Sequence, residues 1–302
     1  MQTWLVTGAR GFLGTNVGVA LQGRATLVGQ ARTATRSAVY PRIIATDLSD
    51  ASGITAAIRE IQPDVILHAA AISGHETCAI DPKQALAVNV VATRAIAAEA
   101  ATMGARLIAI STDAVFAGER GGYAEDDPLE PFSYYGETKA MGEDAIREEL
   151  ADHLILRTNF FGWSETGRKS VLEFFVNSLR DGTAIRGYPD FIVTSIYVQS
   201  LIEAIWNLNE LGATGTIHVA SSDALSKYDY GVTIAREFGL DPDLIARLGP
   251  PEGAHAASRS RNLSLNTDLA AKLLGGALQS QAAGVAQARA EESTIGVEVR
   301  GS

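Results

Sequence analysis

A tyrosine and a lysine stand four residues apart in the stretch YYGETKA at residues 134–140. Because residues at that spacing lie one above the other on an α-helix, the phenol of Tyr135 and the ammonium group of Lys139 would face the same way. An ammonium group stabilises a nearby phenolate and lowers the pKa of a tyrosine from about 10 toward the working range of an acid–base catalyst. The pair predicts a proton donor, Tyr135, tuned by Lys139. The alternative is an ordinary helix start.

A hydroxyl group lies at the strand end that precedes this helix. Residues 105–112 are mostly apolar and predict a buried strand that ends at Thr112. Ligands bind outside the carboxyl ends of parallel strands, so Thr112 can hold a substrate carbonyl there. The tyrosine–lysine spacing is common by itself, but its place in the helix that follows this strand favours the catalytic interpretation.

Three glycines, Gly8, Gly11 and Gly14, stand between a predicted strand at 3–9 and a predicted helix at 12–23. In a dinucleotide-binding turn the first glycine permits the tight bend, the second lets the backbone approach a pyrophosphate, and the third allows close helix–strand packing. The amide groups at the helix N-terminus then bind the anion. The pattern predicts a dinucleotide site, and the alternative is a glycine-rich turn without a ligand.

The second predicted strand carries no acidic residue at its end. An NAD site has an Asp or Glu about 20 residues beyond the glycines, to bind the ribose hydroxyls. Here Gln30 stands in that region, followed by Arg32 and Arg36, and Arg10 lies within the glycine turn. Guanidinium groups suit a 2′-phosphate, so we predict NADPH as cofactor, with NADH as the alternative. Arg10 and Arg32 are the better candidates, and solvated surface arginines are the competing interpretation.

The rest of the chain alternates predicted strands with predicted helices. Strands are predicted at 3–9, 25–31, 42–48, 64–71, 105–112, 153–159 and 215–221, and helices at 12–23, 51–63, 81–104 and 135–150. This order implies parallel pairing with right-handed crossovers. We predict an α/β fold, a Rossmann-type doubly wound parallel sheet with a smaller C-terminal substrate-binding lobe. Residues 1–160 would form the dinucleotide-binding core, to which segments near 190–221 return, and residues 161–302 would form mainly the lobe.

Composition narrows the classes of partner. The 302 residues carry a formal net charge of -10 and a single cysteine, Cys78. The acidic balance argues against nucleic acid as a partner, and the lack of a disulfide framework fits a reducing compartment. The sequence shows neither a signal peptide nor an apolar run long enough to cross a bilayer. We expect a cytoplasmic protein without a membrane partner, and a homodimer stays open.

Histidines give no sign of a metal site. The five histidines are scattered without metal-ligand spacing, so none is predicted. His68 ends an apolar strand and is interpreted as structural. His75 lies in a loop near the expected cleft, where a substrate contact and a solvated loop are the alternatives.

Several motifs, in order, resemble one family. They are TGARGFLG, HAAAIS, STDAVFAG, YYGETK and LRTNFFG. Together they resemble the extended short-chain dehydrogenases/reductases, and within them the dTDP-4-dehydrorhamnose reductase-like branch. The stretch RSRNLSLNT at 259–267 is similar to an Arg-Pro stretch of that branch, with Ser260 in place of the proline.

The resemblance implies roles for particular residues. The catalytic trio would be Thr112, Tyr135 and Lys139. The cofactor would be bound by Gly8, Gly11, Phe12, Leu13, Gly14, Asp47, Leu48, Ala69, Ala70 and Ala71. The sugar-nucleotide cleft would be lined by Asn159, Trp163, Arg259 and Asn262.

The resemblance also implies an activity: NADPH-dependent reduction of a keto group on a nucleotide-linked deoxysugar, a small-molecule substrate. One alternative is a nucleotide-sugar epimerase or dehydratase, which uses the same trio but keeps its nicotinamide through the cycle. A dehydratase usually has adjacent Asp and Glu residues beside the threonine, and this chain has Asp113 followed by Ala114. The other alternative is a non-catalytic regulatory subunit that resembles the β subunit of methionine adenosyltransferase.

Overall fold

The computed structural model describes residues 1–33, 36–248 and 261–302. The predicted substrate residue Arg259 and its neighbour Ser260 therefore lie outside the described residues. The strands are β1 (Thr3–Thr7), β2 (Thr26–Ala31), β3 (Arg42–Ala45), β4 (Val65–His68), β5 (Arg106–Thr112), β6 (His153–Thr158), β7 (Phe160–Phe161), β8 (Ile185–Gly187), β9 (Ile192–Val193), β10 (Ile196–Tyr197), β11 (Gly215–His218), β12 (Leu225–Ser226) and β13 (Ile245–Arg247).

Helices separate most of the strands of the main sheet. They are α1 (Phe12–Ala20), α2 (Ala51–Ile61), α3 (His75–Ile80), α4 (Pro82–Leu86), α5 (Thr93–Met103), α6 (Tyr134–Glu149), α7 (Val171–Arg180), α8 (Val198–Glu210), α9 (Lys227–Glu237), α10 (Asp268–Leu274), α11 (Gln281–Ala290) and α12 (Ile295–Arg300).

The main sheet confirms the predicted fold class. Within the described residues it has seven strands in the order β11-β6-β5-β4-β1-β2-β3, and every pairing in it is parallel. The direction of strand succession reverses between β1 and β4. The carboxyl ends of these two strands lie side by side, with Thr7 opposite His68. Such a switch point is where open α/β sheets bind ligands.

Both faces of this sheet are covered, which is why its strands read as nearly continuous apolar runs. On β1, Trp4 and Val6 belong to the hydrophobic cluster of one face and Leu5 to that of the other. This division follows the alternation of side chains along a strand. Helices α1 and α8 cover the first face, where Trp4 stacks on Trp206 with ring centroids 5.6 Å apart. Helices α2, α5 and α6 cover the second.

The long helix predicted at 81–104 is continuous but not uniform. It comprises α4, a π-helical segment at Ala87–Ala92, and α5. The Asp81 side chain caps its first turn, and Gly104 ends it in a left-handed conformation. Among the described residues, only the run Pro82–Met103 is long and apolar enough to span a membrane by length and composition. Its Ile96 and Ala97 are fully buried against the sheet, as in the core helix of a globular domain.

The residues after 160 contribute to both the main sheet and the lobe. Helix α8 packs on α1, and β11 extends the main sheet by pairing with β6. The lobe contains the short pairs β10-β7, β12-β9 and β13-β8, with α7, α9 and α11 packed around them. The exact division of the chain into core and lobe stays a prediction.

Gly14 allows α1 to pack closely against the turn that follows β1. A Cβ atom at this position would lie 2.2 Å from the carbonyl oxygen of Gly8. Gly14→Ala should therefore displace the turn and lower the free energy of unfolding by about 1–3 kcal/mol, as overpacking does. Gly276→Ala is the matched control, because no atom lies within 4 Å of its added Cβ. Urea denaturation measures both, and equal effects of the two substitutions would contradict this account of the turn.

Candidate functional site

The glycine turn forms a concave surface at the carboxyl end of β1. Gly8 has a φ of 68°, and a Cβ atom on it would lie 3.0 Å from the Cα atom of Ala70. Gly11 donates its backbone N–H to the Gly8 carbonyl (2.7 Å) and is the N-cap of α1. No side chain caps this helix, and its first turn holds no acidic residue. The amide groups and the positive end of the helix dipole therefore fit a bound pyrophosphate.

Gln30 has a structural role that the sequence did not indicate. Its side chain is 2% exposed and lies near the end of β2, in the region where an NAD site has an Asp or Glu. Its Oε1 accepts a hydrogen bond from the Gly8 N–H (3.1 Å), and its Nε2 donates one to the Thr46 carbonyl (2.7 Å). Gln30 thus ties the glycine turn to the chain after β3 and places no charge near the ribose site.

The three arginines considered for a 2′-phosphate differ in their surroundings. The guanidinium of Arg10 pairs with the carboxylate of Glu165 and donates to the Ser302 carbonyl (3.3 Å). Arg32 and Arg36 are exposed. Arg32 lies near Asp47, whose pKa is lowered mainly by hydrogen bonds from Ser49 and also by the charge of Arg32. Arg32 therefore lies next to the predicted adenosine site, and its exposed side chain is available for a 2′-phosphate.

Other predicted cofactor residues lie along the same edge of the sheet. Asp47 is exposed, whereas the neighbouring Leu48 is 5% exposed and belongs to the core under α2. Ala69, Ala70 and Ala71 follow β4 directly and are half-buried beside the glycine turn. Phe12 lines the large cavity, and Leu13 is buried in the core. The cofactor role of each stays a prediction.

His68 is a buried structural histidine, as expected from its strand position. Its Nδ1 lies 2.8 Å from the Thr7 hydroxyl and its Nε2 lies 2.9 Å from the Thr93 hydroxyl. Thr93 donates its proton to the Asn89 carbonyl, so it accepts from Nε2–H of a neutral imidazole. Burial lowers the pKa of His68 to about 3, and the charge of Lys139 acts in the same direction.

The predicted catalytic residues converge where β5 meets α6. Thr112 is the last residue of β5, and Tyr135 lies in the first turn of α6, which Ser133 caps (3.2 Å to the Gly136 N–H). A Cβ atom on Gly136 would lie 2.1 Å from the Ala114 carbonyl oxygen, so only glycine permits this approach. Lys139, one turn further on, is 8% exposed and donates to the Ile110 carbonyl (2.8 Å).

Burial dominates the electrostatics of the pair. It raises the pKa of Tyr135, and the negative charge of Asp113 adds to the effect, while a hydrogen bond with Thr112 opposes it. The predicted lowering of the tyrosine pKa by Lys139 is therefore not seen, since the ammonium group is directed to Ile110 and is itself buried. Burial lowers the pKa of Lys139 to about 8, against the attraction of Glu143. The phenol stays protonated at neutral pH, which is the form that can donate a proton.

Asp113 adds an acidic group beside Thr112. Burial raises its pKa to about 6, against hydrogen bonds from Asn159 and Thr112. The Thr112 hydroxyl donates to Oδ1 of Asp113 (3.0 Å) and accepts from the Ala114 N–H (3.2 Å). Asn159 donates its Nδ2 to the other carboxylate oxygen (2.9 Å). The Thr112 hydroxyl must leave Asp113 before it can donate to a substrate.

A cavity of 1070 Å³ opens in front of these residues, between the sheet edge and the lobe. Thr112, Asp113, Tyr135 and Asn159 form part of its wall, whereas Lys139 is buried and is not among the lining residues. In the described part of the chain, no group of three or more His, Cys, Asp and Glu side chains is arranged to hold a metal ion.

Some lining residues were not predicted. These are three cationic and four aromatic residues, Lys169, Lys227, Arg261, Phe132, Phe160, Phe191 and Tyr230. They come from separate loops, short strands and helices, and no local pattern marks them. His75 also lines the cavity, with its ring centroid 5.5 Å from that of Tyr135 and its Nδ1 2.8 Å from the Ser133 hydroxyl.

Two predicted substrate residues lie elsewhere. Trp163 is 2% exposed in the core, and its indole N–H donates to the Ala288 carbonyl (2.9 Å). The Asn262 side chain is directed to a loop, where it donates to the Arg120 carbonyl (3.3 Å) and accepts from Ser264. Neither is among the cavity-lining residues. In both cases hydrogen bonds to residues distant in sequence hold the side chain away from the cleft.

Comparison with known proteins assigns the chain to a family. Residues 1–293 match the family described as the RmlD substrate binding domain. The chain belongs to this family. Its recognition from the five motifs is thereby confirmed.

Named relatives agree with this assignment. The dTDP-4-dehydrorhamnose reductase of Escherichia coli strain K12 is 30% identical over 234 residues, which cover 74% of this chain and 77% of the relative. A crystal structure described as a hypothetical dTDP-4-dehydrorhamnose reductase from Sulfolobus tokodaii is 30% identical. It superposes with a TM-score of 0.81 over 93% of this chain and 97% of that one.

A third comparison concerns the fold alone. The structure of dTDP-4-dehydrorhamnose reductase from Bacillus anthracis strain Ames, in complex with NADP, is similar with a TM-score of 0.84. It covers 96% of this chain and 98% of that one, at 23% identity. The Rossmann-type sheet and its lobe are therefore common to both proteins.

The neutral state of His68 should make the protein sensitive to acid. The unfolded chain binds the proton near pH 6.5 and the folded chain only near pH 3, so the free energy of unfolding should fall as the pH drops through this window. The slope for one proton is at most about 1.4 kcal/mol per pH unit. His68→Gln should reduce the slope, measured by urea denaturation at several pH values.

The wild-type protein, denatured at the same pH values, is the reference for this slope. Asp113 titrates in the opposite sense, with a pKa raised from 3.8 to about 6, but it is present in both proteins and cancels in the comparison. An unchanged slope in His68→Gln would contradict the neutral assignment.

Proposed function

We propose that this chain is an NADPH-dependent reductase of a keto group on a nucleotide-linked deoxysugar, of the dTDP-4-dehydrorhamnose reductase type. The observation that carries the proposal is the convergence of Thr112 and Tyr135 on the wall of one large cavity, with Lys139 buried one turn after Tyr135 on the same helix. Membership of the family and the names of its reductase members support it. The substrate would be a small molecule and the protein an oxidoreductase.

The cofactor would lie across the carboxyl ends of β1 and β4. The turn of Gly8, Gly11 and Gly14 and the start of α1 would hold the pyrophosphate, because no side chain caps the helix and its first turn holds no acidic residue. Arg32 would meet the 2′-phosphate, and Lys139 a ribose hydroxyl. When bound, NADPH supplies the hydride for the carbonyl carbon of the substrate. NADH is the alternative cofactor.

Tyr135 would donate the proton. Its phenol lies in the cavity wall and is protonated at neutral pH, so it can transfer the proton to the substrate oxygen as negative charge develops there. The buried ammonium group of Lys139 would stabilise the phenolate that results. Thr112 would turn its hydroxyl from Asp113 to the same oxygen and donate a second hydrogen bond.

The lining of the cavity suits a nucleotide-linked substrate. Lys169, Lys227 and Arg261 bring positive charge to the cavity of a protein whose net charge is -10. These cations would attract a diphosphate. Phe160 and Phe191 offer apolar faces against which a base or sugar ring can pack.

The proposal includes a cytoplasmic location, with no nucleic-acid or membrane partner. The acidic composition and the single cysteine support it.

The deciding experiment measures cofactor turnover. The purified protein should oxidise NADPH in proportion to the keto sugar reduced, followed at the absorbance band of the reduced nicotinamide with dTDP-linked 4-keto sugars. An epimerase or dehydratase would convert its sugar without net loss of that absorbance. A regulatory subunit would convert none of these dTDP-linked 4-keto sugars.

Tyr135→Phe should lower kcat by about 100-fold or more, because a general acid contributes at least that factor. The dissociation constant for NADPH should change little, since the hydroxyl is not needed to hold the cofactor. Tyr134→Phe is the control, because its hydroxyl donates to the Pro82 carbonyl (3.3 Å) on the neighbouring helix. Steady-state kinetics and fluorescence titration give both quantities, and full turnover in Tyr135→Phe would refute the catalytic assignment.

Arg32→Gln should raise the KM for NADPH about tenfold and leave that for NADH unchanged, because it removes one charge-assisted contact of about 1.5 kcal/mol. Arg36→Gln removes an exposed arginine a few residues further along the chain and should have the smaller effect. Initial rates with both cofactors measure the change. A parallel loss with NADH would show that the Arg32 side chain does not meet the 2′-phosphate.

A further inference from the structure

Three polar side chains in the lobe wall of the cavity have an oxygen without a hydrogen-bond partner. Ser195, Tyr230 and Gln281 line the cavity, and each is no more than 3% exposed. In the part of the chain that the structure describes, seven buried side-chain atoms lack a partner, and the two hydroxyls and Oε1 of Gln281 are three of them. None of the other four belongs to a cavity-lining residue. A buried oxygen without a partner lowers stability, so three in one wall indicate a ligand that completes them.

The free oxygen of Gln281 can only accept a hydrogen bond. Its Nε2 donates to the carbonyls of Val193 (3.1 Å) and Asp223 (3.2 Å). Carbonyl oxygens accept and cannot donate, so these two contacts fix which end of the amide carries the nitrogen. Oε1 is left as an acceptor without a donor. The ligand group that completes it must therefore carry an O–H or an N–H.

The hydroxyls of Ser195 and Tyr230 can donate as well as accept. Burial raises the pKa of Tyr230, so its phenol keeps its proton at neutral pH. The Tyr230 ring packs against Phe161 and Phe175, with centroids 5.3 Å and 6.3 Å away, and this packing fixes the direction of its hydroxyl. The three groups together carry no charge and include an obligate acceptor. They suit hydroxyl groups and do not suit a phosphate, which has no proton to give to Gln281.

This part of the wall lies next to the end of β5. Ser195 directly precedes β10, whose Ile196 N–H donates to the carbonyl of Asn159 (2.9 Å). The side chain of Asn159 in turn donates to Asp113, the residue after β5 (2.9 Å). Gln281 reaches the same segment through the carbonyl at the end of β9. A keto sugar held at the end of β5 would bring its own ring to this wall, because the diphosphate separates the sugar from the base.

We propose that Ser195, Tyr230 and Gln281 form a subsite that binds hydroxyl groups of the sugar ring in a nucleotide-linked substrate. This inference deepens the proposed function and rests on it for the class of ligand. The three oxygens are enclosed in the free protein, so the lobe wall must shift slightly to admit the sugar. A sugar without hydroxyls at these positions would leave the oxygens unpaired and would be rejected.

The direct test compares the binding of dTDP-glucose with that of dTDP, by isothermal titration calorimetry of the full chain with NADPH present. Glucose carries hydroxyl groups but no keto group, so it binds without being reduced. Tyr230→Phe and Ser195→Ala should each raise the dissociation constant of dTDP-glucose about tenfold, since one hydrogen bond is lost and its partner is left unpaired. The dissociation constant of dTDP should not change.

Two results of this titration would overturn the proposal. One is an unchanged affinity for dTDP-glucose in both variants. The other is an equal loss of affinity for dTDP, because the base or the diphosphate, rather than the sugar, would then depend on these hydroxyls.

The stability of the free protein separates a ligand-binding hydroxyl from a structural one. Tyr230→Phe should keep or raise the urea midpoint, because the hydroxyl that it removes has no partner. Tyr197→Phe is the matched control in the lobe, since the Tyr197 hydroxyl donates to Glu291 (2.8 Å) and the residue does not line the cavity. It should lower the midpoint and leave both dissociation constants unchanged. An equal fall of the midpoint in Tyr230→Phe would show a structural hydroxyl and overturn the proposal.

Failure of the proposed function gives a different result. If the wild type binds dTDP-glucose but reduces no dTDP-linked 4-keto sugar, the reductase assignment fails, and the dissociation constants still decide the subsite. If the wild type binds neither dTDP nor dTDP-glucose, the class of ligand is wrong and the subsite is overturned with it. If it reduces the keto sugar, Tyr230→Phe should raise the KM about tenfold with little change in kcat. A fall in kcat at constant KM would contradict a binding role.

Discussion

The ion pair between Arg157 and Glu143 joins three neighbouring elements of the protein. The carboxylate lies on α6, the guanidinium on β6 and the bonded serine, Ser111, on β5. Both charged side chains are almost fully buried, so removing one partner would be expected to cost about 3–5 kcal/mol. This attachment sets how α6 crosses the sheet edge, and therefore where the phenol of Tyr135 stands relative to Thr112.

Close backbone approach is the second constraint on the site. Gly136 lets the start of α6 touch Ala114, and Gly14 lets α1 touch the turn at Gly8. A Cβ atom at either glycine would collide with a carbonyl oxygen. Both contacts lie at the carboxyl edge of the sheet, which is where helix N-termini and strand ends can meet a ligand. The predicted cofactor turn and the predicted catalytic helix are thus positioned by the same kind of packing.

The cavity is lined by segments that are far apart in the sequence. Its catalytic wall comes from β5 and α6, while Lys227 comes from the start of α9 and Arg261 from a later segment. The core provides acidic and hydroxyl groups, and the lobe provides cations. The cations of the cavity would attract an anionic substrate although the protein as a whole is acidic.

The order of strands and helices, the glycine turn and the place of Tyr135 and Lys139 on one helix could be predicted from the sequence, because each rests on short-range spacing. The catalytic role of Thr112, Tyr135 and Lys139 stays a prediction. Turn geometry needs Gly8 and Gly11 a few residues apart, and a helix places Tyr135 and Lys139 on one face. Tertiary structure alone decided that Gln30 holds the glycine turn, that Arg10 pairs with Glu165 and that Trp163 lies in the core. It also decided that Lys139 bonds the Ile110 carbonyl. These contacts join residues distant in sequence, where burial and the nearest available partner, rather than local periodicity, determine which way a side chain points.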